Sequence, residues 1–284
     1  MFMPKFKTLS HLRIAITFAI CASVHTLAPL AAHASELITE TYDGRTALIY
    51  LPTARPNTLP ANGSRALVVT LHGGLGNAQR IAGRLSESAL NIDAGADTSS
   101  FAVASLNGTP AAKHLGADKL GWNAGKCCGQ PAEKKIDDVA YIQTTVNAIA
   151  AKYGIDRNRI YGVGHSNGAM MIQRMMCETS LFAAAVPISG ALENEADVCP
   201  LARGKRLMAI HGEDDNDVPI NGGKSSKGLS RSSYLSQAAT AEVWRRSGAT
   251  YDLQIIKGAE HSTEKINMRL VETESKTLGQ KITQ

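Results

Sequence analysis

The chain has 284 residues, of which 44% are hydrophobic and 19% charged, and a formal net charge of +5 at pH 7. Three basic residues and no acidic residue lie in the first 34 positions, so the net charge of the rest falls from +5 to +2. A nearly neutral chain gives no basis for nucleic-acid binding, and this length is enough for one α/β domain with an ample core.

The first 34 residues have the pattern of a secretory signal peptide. Basic residues come first, the apolar stretch Ile14–Ala32 follows, and Ala32-His33-Ala34 is a small-x-small cleavage signal. A membrane anchor is the alternative, but His25 and Pro29 interrupt the apolar stretch. We expect residues 1–34 to be removed and residues 35–284 to form a single catalytic domain, secreted to the periplasm or outside the cell. No other segment has the ~20 apolar residues of a spanning helix, so no membrane association is expected after cleavage.

Apolar runs of strand length alternate with longer helical patterns, which predicts an α/β protein with a mainly parallel central sheet and helices on both faces. In the first predicted helix, which ends at Gly154, apolar residues from Val139 to Ile149 recur three and four positions apart. The long Gly-rich loop Asn107–Lys135 precedes it, and loops of this length are usually functional or disordered. The predicted strands are Thr46–Leu51, Ala66–Leu71, Phe101–Leu106, Ile160–Val163, Ala183–Ile188, Arg206–Ile210 and Tyr251–Ile256. The predicted helices are 137–154, Asn167–Cys177 and Ser232–Gly248.

The segment Gly162–Gly168 fits the G-x-S-x-G pattern of a nucleophile elbow, with Ser166 as the nucleophile. A predicted strand ends just before it and a predicted helix begins at Asn167, as this turn requires. Glycines two residues away on each side leave room for a strained serine backbone. The serine hydroxyl then lies at a helix N-terminus, where developing negative charge is favoured.

A serine nucleophile needs a base, and the base needs an orienting acid; in α/β-hydrolases these follow in the order Ser, Asp or Glu, His. Four acids, from Glu213 to Asp217, follow the strand Arg206–Ile210 and compete for the acidic role. The base is expected after the next strand. His261 is the only histidine downstream of His211, so we predict that it is the base.

An oxyanion hole requires two backbone N–H groups aimed at the tetrahedral intermediate. We expect one from Asn167, which follows the nucleophile. The other is expected from the H-G-G loop that begins at His72, either from Gly74 or, as second choice, from Leu75. No P-loop, dinucleotide-binding pattern, C-x-x-C pair, H-E-x-x-H motif or Asp-rich calcium loop occurs, so neither a metal nor another cofactor is predicted.

With these residues assembled, the chain resembles the secreted polyhydroxybutyrate depolymerases and feruloyl or acetylxylan esterases, a family of α/β-hydrolases. In the family's H-G-x-x-D-x-x-V-P pattern the acid is the fifth residue, which implies Asp215 here. The family's base lies in a Gly-x-x-His turn, which matches Gly258–His261. The matching stretches are Leu71–Gly74, Trp122–Gly129, Asp137–Val139, Gly164–Met171, His211–Pro219 and Gly222-Gly223.

We expect the substrate pocket at Leu75, next to the Gly-rich loop, and at Trp122 and Asn123 in the long loop. The chain departs from the family after His261, where Ser262 and the residues that follow replace the usual Trp-Pro and aromatic-ended helix. This departure leaves the family's closing helix, and part of the pocket rim, without support from the sequence. No polymer-binding domain or Ser/Thr-rich linker is recognised, so soluble or accessible esters are expected as substrates rather than solid polyester.

Four cysteines remain after signal cleavage, and export favours disulfides. Cys177 lies eleven residues after the nucleophile, about 16 Å along a helix, and Cys199 just precedes a strand, so both are expected at the lower edge of the sheet. We therefore predict a Cys177–Cys199 disulfide. Cys127 and Cys128 are left as a vicinal disulfide or as free thiols.

The sequence as a whole predicts a serine carboxylic-ester hydrolase that acts on small or oligomeric esters of hydroxyalkanoate, feruloyl or acetyl type. A peptidase on the same fold is one alternative, since it would use the same triad. A catalytically silent binding protein on this fold is the other, because a fold does not fix a function. The sequence leaves the oligomeric state open.

Overall fold

A computed structural model describes residues 36–52, 65–82, 101–193, 198–225, 233–275 and 278. These residues belong to one compact unit, Ala32–Gln284. The predicted signal peptide, residues 1–34, lies outside the described residues. No helix in the described ranges is long and apolar enough to cross a membrane.

Eight strands form the central sheet, in the order β1-β2-β4-β3-β7-β8-β9-β12. The pairs β1–β2 and β2–β4 are antiparallel, and every later pair in this order is parallel. Two short antiparallel pairs, β5–β6 and β10–β11, lie outside this sheet. The strands are β1 Glu36–Tyr42, β2 Arg45–Leu51, β3 Arg65–Leu71, β4 Ala102–Leu106, β5 Thr109–Pro110, β6 Leu120–Gly121, β7 Ile155–His165, β8 Ala184–Ile188, β9 Arg206–Gly212, β10 Gly223–Lys224, β11 Ser233–Tyr234 and β12 Thr250–Ile256.

Three of the described helices begin at a residue whose side chain accepts an N–H group of the first turn: Asp137, Ser236 and Ser262. The Asp137 side chain accepts from the N–H of Ala140 at the start of α3, and Gly154 ends that helix in the left-handed conformation. Ser236 caps α5 in the same way as Asp137 caps α3. The helices are α1 Ala78–Ala82, α2 Gly129–Glu133, α3 Asp138–Tyr153, α4 Asn167–Glu178, α5 Gln237–Arg246 and α6 Thr263–Glu274, with a 3-10 turn at Pro200–Ala202.

Alternate residues of the central strands point to opposite faces of the sheet, and each face has its own core. Leu67 and Val69 of β3 pack in a core with α3, α4 and α5, whereas Val68 packs in a second core with α1 and α6. The predicted sheet covered by helices on both faces is confirmed. The methionines of α4 lie in the first core, which agrees with a packing role.

Several elements differ from the sequence-based expectation. Helix α5 begins at Gln237 rather than at Ser232, since Ser233–Tyr234 forms the strand β11. Strand β1 was not predicted, because this edge strand is rich in polar and partly exposed residues rather than in apolar ones. Helix α6 follows His261, where the departure from the family pattern left a closing helix without support from the sequence. Its Ile266 and Leu270, four residues apart, are fully buried against Ile256 of β12. Tertiary burial of this apolar stripe, not an aromatic motif, stabilises the helix.

The four cysteines in the described ranges form two pairs. Cys177 at the end of α4 and Cys199, just before the 3-10 turn, are buried and disulfide-bonded in the structure. The sulfur atoms of Cys127 and Cys128 are in contact with each other, one residue apart in the long loop. No disulfide joins the two pairs within the described ranges.

Candidate active site

Ser166 lies at a sharp turn between β7 and α4. Its backbone has φ 52° and ψ −122°, a conformation that L-residues adopt only when the surrounding structure enforces it. A Cβ atom at Gly164 would collide with the backbone of Gly168, and one at Gly168 would collide with the carbonyl of Leu71. Glycine is therefore required at both positions for the turn to pass against β3.

The structure brings Ser166, His261 and Asp215 into one hydrogen-bonded chain. His261 Nε2 lies 2.9 Å from Ser166 Oγ, and His261 Nδ1 lies 2.8 Å from Asp215 Oδ2. The Asp215 carboxylate is buried, whereas the His261 side chain is 17% exposed. The geometry satisfies the distances that proton transfer from serine to histidine requires.

Among the four competing acids, Asp215 contacts the histidine, and its neighbours support it. The N–H groups of Asp217 and Val218 donate to Asp215 Oδ1 at 2.9 and 2.8 Å. His211 Nε2, whose N–H donates to the carbonyl of Val218, lies 3.3 Å from Asp215 Oδ2. Burial by itself raises the pKa of the Asp215 carboxyl, but hydrogen bonds from His211, His261 and Val218 outweigh it, and the pKa falls well below its ordinary value. Asp215 is therefore ionised throughout the neutral range.

Backbone contacts between the loops after β9 and β12 hold the acid and the base together. The N–H of Glu213 donates to the carbonyl of Ile256, and the N–H of Asp214 donates to that of Ala259. The Glu213 carboxylate in turn accepts from the N–H of Gly258 at 3.0 Å. Because β9 and β12 are parallel neighbours, both loops leave the same edge of the sheet.

His165, the residue before the nucleophile, is a site residue that the sequence analysis missed. Its Nε2–H donates to the carbonyl of His261 at 2.9 Å, and the two rings lie 5.0 Å apart. Burial, with repulsion from His261, lowers the pKa of His165 to about 4, so it is neutral at pH 7. It supports the backbone of the predicted base. Its position inside G-x-S-x-G was the signal available in the sequence.

The N–H groups predicted for the oxyanion hole differ in their hydrogen bonding. Among the described residues, no acceptor faces the N–H of Gly74 or that of Asn167. The alternative donor, Leu75, is excluded because its N–H donates to the carbonyl of Leu120 at 2.7 Å. Gly73 lies directly against Ser166, so the Gly-rich loop borders the serine.

A cavity of about 490 Å³ opens beside these two N–H groups. The long loop between β4 and α3 forms most of its wall, which agrees with a functional role for that loop. Lys113, His114, Gln130 and Glu133 contribute polar side chains that the sequence analysis did not single out. The cavity is lined by Gly74, Ala111, Ala112, Lys113, His114, Leu115, Gly121, Cys128, Gly129, Gln130, Glu133 and Asn167.

The predicted pocket residues do not line this cavity. Trp122 is wholly buried and Asn123 is 7% exposed, because both side chains point into the protein and make internal hydrogen bonds. Leu75 lines a separate, smaller cavity of about 190 Å³ together with Arg80 and His165. The pocket prediction was therefore wrong for Trp122 and Asn123, since a position in the long loop does not say which side chains face inward.

Three potential metal ligands, Asp215, Asp217 and His261, have ligand atoms within 4.8 Å of one another. Both oxygens of the Asp215 carboxylate already accept hydrogen bonds, Oδ1 from backbone N–H groups and Oδ2 from His261. These partners fit an orienting acid better than a cation ligand. The absence of a metal cofactor stays a prediction.

No protein-family model matches the chain. A protein assigned as an esterase, NocK of Nocardia uniformis subsp. tsuyamanensis, is 27% identical over 163 residues, which make up 56% of this chain and 42% of that protein. A thermostable esterase of known structure has a TM-score of 0.55 and 17% identity, with 85% of this chain and 61% of that chain covered. The chain thus spans less than half of the curated relative and less than two thirds of this esterase.

Two further solved structures are similar in fold. A carboxylesterase from Mesorhizobium loti has a TM-score of 0.54 and 16% identity, with 83% of this chain and 97% of that chain covered. A puromycin-hydrolyzing peptidase of Mycobacterium tuberculosis has a TM-score of 0.54 and 15% identity, with 86% and 39% covered. Together with the sheet order and the turn at Ser166, these similarities show that the chain has the α/β-hydrolase fold.

Proposed function

We propose that the protein is a serine esterase that hydrolyses carboxylic esters through Ser166, His261 and Asp215. The observation that carries the proposal is the continuous hydrogen-bonded chain from Ser166 Oγ through His261 to the buried Asp215 carboxylate. It lies next to a cavity and to two N–H groups that have no acceptor among the described residues, at the edge of the sheet where α/β proteins bind ligands.

In the proposed reaction, the Ser166 hydroxyl transfers its proton to His261 Nε2 while Oγ attacks the ester carbonyl carbon. The N–H groups of Gly74 and Asn167 donate to the oxyanion of the tetrahedral intermediate. Protonated His261 then gives its proton to the leaving alcohol, and an acyl-enzyme remains on Ser166. Water, deprotonated by His261, attacks the acyl carbon, and collapse of the second intermediate returns the proton to Ser166 and releases the acid.

The substrate class rests on the family resemblance and on the relatives whose names give an esterase activity. We propose esters of hydroxyalkanoate, feruloyl or acetyl type, small or oligomeric, with no cofactor. The proposal includes secretion, because the first 34 residues have the pattern of a signal peptide. N-terminal sequencing of the exported protein tests this point, and a mature chain that keeps Met1 would contradict it.

A peptidase activity is the second candidate, since peptidases are among the proteins that share the fold. A panel of p-nitrophenyl esters of rising chain length, with feruloyl and hydroxybutyrate esters and with peptide anilides, separates the two. We expect hydrolysis of the esters and little cleavage of the anilides. Faster cleavage of the anilides would favour the peptidase. No turnover together with no labelling of Ser166 by a fluorophosphonate would support a silent binding protein.

A further inference from the structure

Trp122 occupies a central position between the two segments that carry the proposed oxyanion-hole donors. It follows β6 in the long loop and its side chain is completely buried. The catalytic steps proposed above do not use it, and it does not line the cavity. Its hydrogen bonds nevertheless reach both the Gly-rich loop and the start of α4.

The first link joins the main chain of Trp122 to the side chain of Asn167. The N–H of Trp122 donates to Asn167 Oδ1 at 2.7 Å, and Asn167 Nδ2 donates to the carbonyl of Trp122 at 3.0 Å. The side-chain amide of Asn167 therefore exchanges two hydrogen bonds with the main chain of Trp122, as two residues of paired strands do. This contact fixes the first residue of α4, whose N–H is one proposed oxyanion donor.

The second link runs from the indole ring to the Gly-rich loop. Trp122 Nε1–H donates to the carbonyl of His72 at 3.0 Å. The His72 ring, 5.0 Å from the indole, donates through Nδ1 to the carbonyl of Gly73 and accepts the N–H of Gly108 at Nε2. Burial lowers the pKa of His72 to about 4, so the ring stays neutral with one donor and one acceptor. The carbonyl groups of His72 and Gly73, the two residues before Gly74, thus each accept a hydrogen bond.

We propose that Trp122 is a positioning residue that sets the spacing of the two oxyanion-hole donors, Gly74 and Asn167, by binding both of their segments at once. The inference rests on the proposed esterase function. An oxyanion hole acts through donors that are aimed before the reaction, and a small displacement of one donor weakens transition-state binding more than substrate binding. Trp is suited to this position because its indole both fills the core and supplies a donor on the side opposite to its backbone.

The test compares the two tryptophans of the chain. Trp122→Phe removes the indole donor and leaves the carbonyl of His72 without it. Trp244→Phe is the matched control, because Trp244 is also wholly buried and its indole N–H donates to Gln173 at 3.0 Å. We expect Trp122→Phe to lose about 10- to 100-fold in kcat with little change in KM. Its affinity for a trifluoromethyl ketone, which forms a tetrahedral adduct, should fall in parallel. Trp244→Phe should keep both values.

A second variant covers the case in which Trp122→Phe does not fold. Asn167→Asp keeps the backbone N–H and the acceptor for Trp122 but removes the donor to its carbonyl, so kcat should again fall more than KM rises. The proposal is overturned if Trp122→Phe loses no more kcat than Trp244→Phe, or if the loss in either test variant lies in KM alone. If the wild-type protein hydrolyses no ester and takes no fluorophosphonate label, the proposed function itself has failed, which is a separate result.

Discussion

At the residue scale, the site depends on an acid that is buried yet ionised. Burial alone would favour a neutral Asp215, but two backbone N–H groups and the histidines bind its charged form. The carboxylate can therefore orient His261 and, in the proposed reaction, stabilise the imidazolium formed when Ser166 gives up its proton. The competing acids beside it lack this set of partners among the described residues.

Substitutions in the hydrogen-bonded chain test these roles. We expect Ser166→Ala and His261→Ala each to lose about 10⁴-fold or more in kcat while the fold is retained. Asp215→Ala is expected to lose less, since the histidine can still act with poorer orientation. Steady-state hydrolysis of a p-nitrophenyl ester provides the measurement, with circular dichroism to check folding. Full activity in Asp215→Ala, with loss in Asp214→Ala or Asp217→Ala, would show that the acid is misassigned.

The pKa of Glu193, which lies in the loop after β8, leads to a prediction of how the free energy of unfolding varies with pH. It is 3% exposed, and its Oε1 has no partner among the described residues. Burial raises its pKa from 4.5 to about 7, against the attraction of Lys126. Because the pKa of Glu193 is higher in the folded than in the unfolded state, its contribution to the free energy of unfolding is fully present below the unfolded-state pKa. This contribution is lost as the pH rises through the folded-state pKa.

The variant Glu193→Gln removes this buried charge. We expect its free energy of unfolding to exceed that of the wild type at about pH 8 by up to roughly 3 kcal/mol. The difference should shrink at about pH 5, where the wild-type carboxyl is largely protonated in the folded state. Urea denaturation at the two pH values measures it. Equal differences at both would show that Glu193 does not titrate in this way.

At the element scale, the start of α3 anchors the long loop that forms the cavity wall. Asp138 is fully buried, and its two oxygens accept from Arg45 at 2.5 Å and from the N–H of Asn123 at 2.7 Å. The Arg45 guanidinium also lies 3.9 Å from the centroid of the Tyr141 ring. One carboxylate thus joins β2, α3 and the residue that follows Trp122.

Adjacent acids at this helix start give a matched pair of variants. Asp138→Ala leaves Arg45 and the Asn123 N–H without their acceptor, and we expect a loss of about 3 kcal/mol in the free energy of unfolding. Asp137→Ala removes only an exposed cap and should cost about 1 kcal/mol. Thermal and urea denaturation compare the two. A smaller loss for Asp138→Ala than for Asp137→Ala would contradict the anchoring role.

At the scale of the whole molecule, the Cys177–Cys199 disulfide ties the end of α4 to the segment before β9, across a sequence separation of 22. The double variant Cys177→Ser, Cys199→Ser should lose roughly 3 kcal/mol of stability, because the unfolded chain gains freedom. Its kcat should be unchanged, since the bond lies at the far end of α4 from Ser166. Calorimetry and non-reducing peptide mapping measure these outcomes. A peptide that links Cys127 or Cys128 to Cys177 would refute the pairing.

How much of the fold and of the site the sequence predicts depends on whether the residues that stabilise each feature lie close together along the chain. The turn at Ser166 is set by glycines within two residues of it, and the strands and helices by short apolar periodicities, so both were readable from the sequence. Strand β1 was missed because it is a partly exposed edge strand of polar composition that pairs with β2. Helix α6 was missed because burial of its apolar stripe in the second core, not a local motif, stabilises it. His165 was missed because its partner, the carbonyl of His261, is 96 residues away along the chain.

The sequence by itself determined the α/β class, the order of the main elements and the tight turn that exposes Ser166. Only the tertiary structure decided that Trp122 and Asn123 face the interior, that the N–H of Leu75 is already bonded, and that the residues from Ala111 to Leu115 line the cavity. The physical reason is that backbone conformation depends mainly on neighbouring residues. The direction of a side chain in a long loop depends instead on which distant donors, acceptors and apolar surfaces it meets when the chain folds.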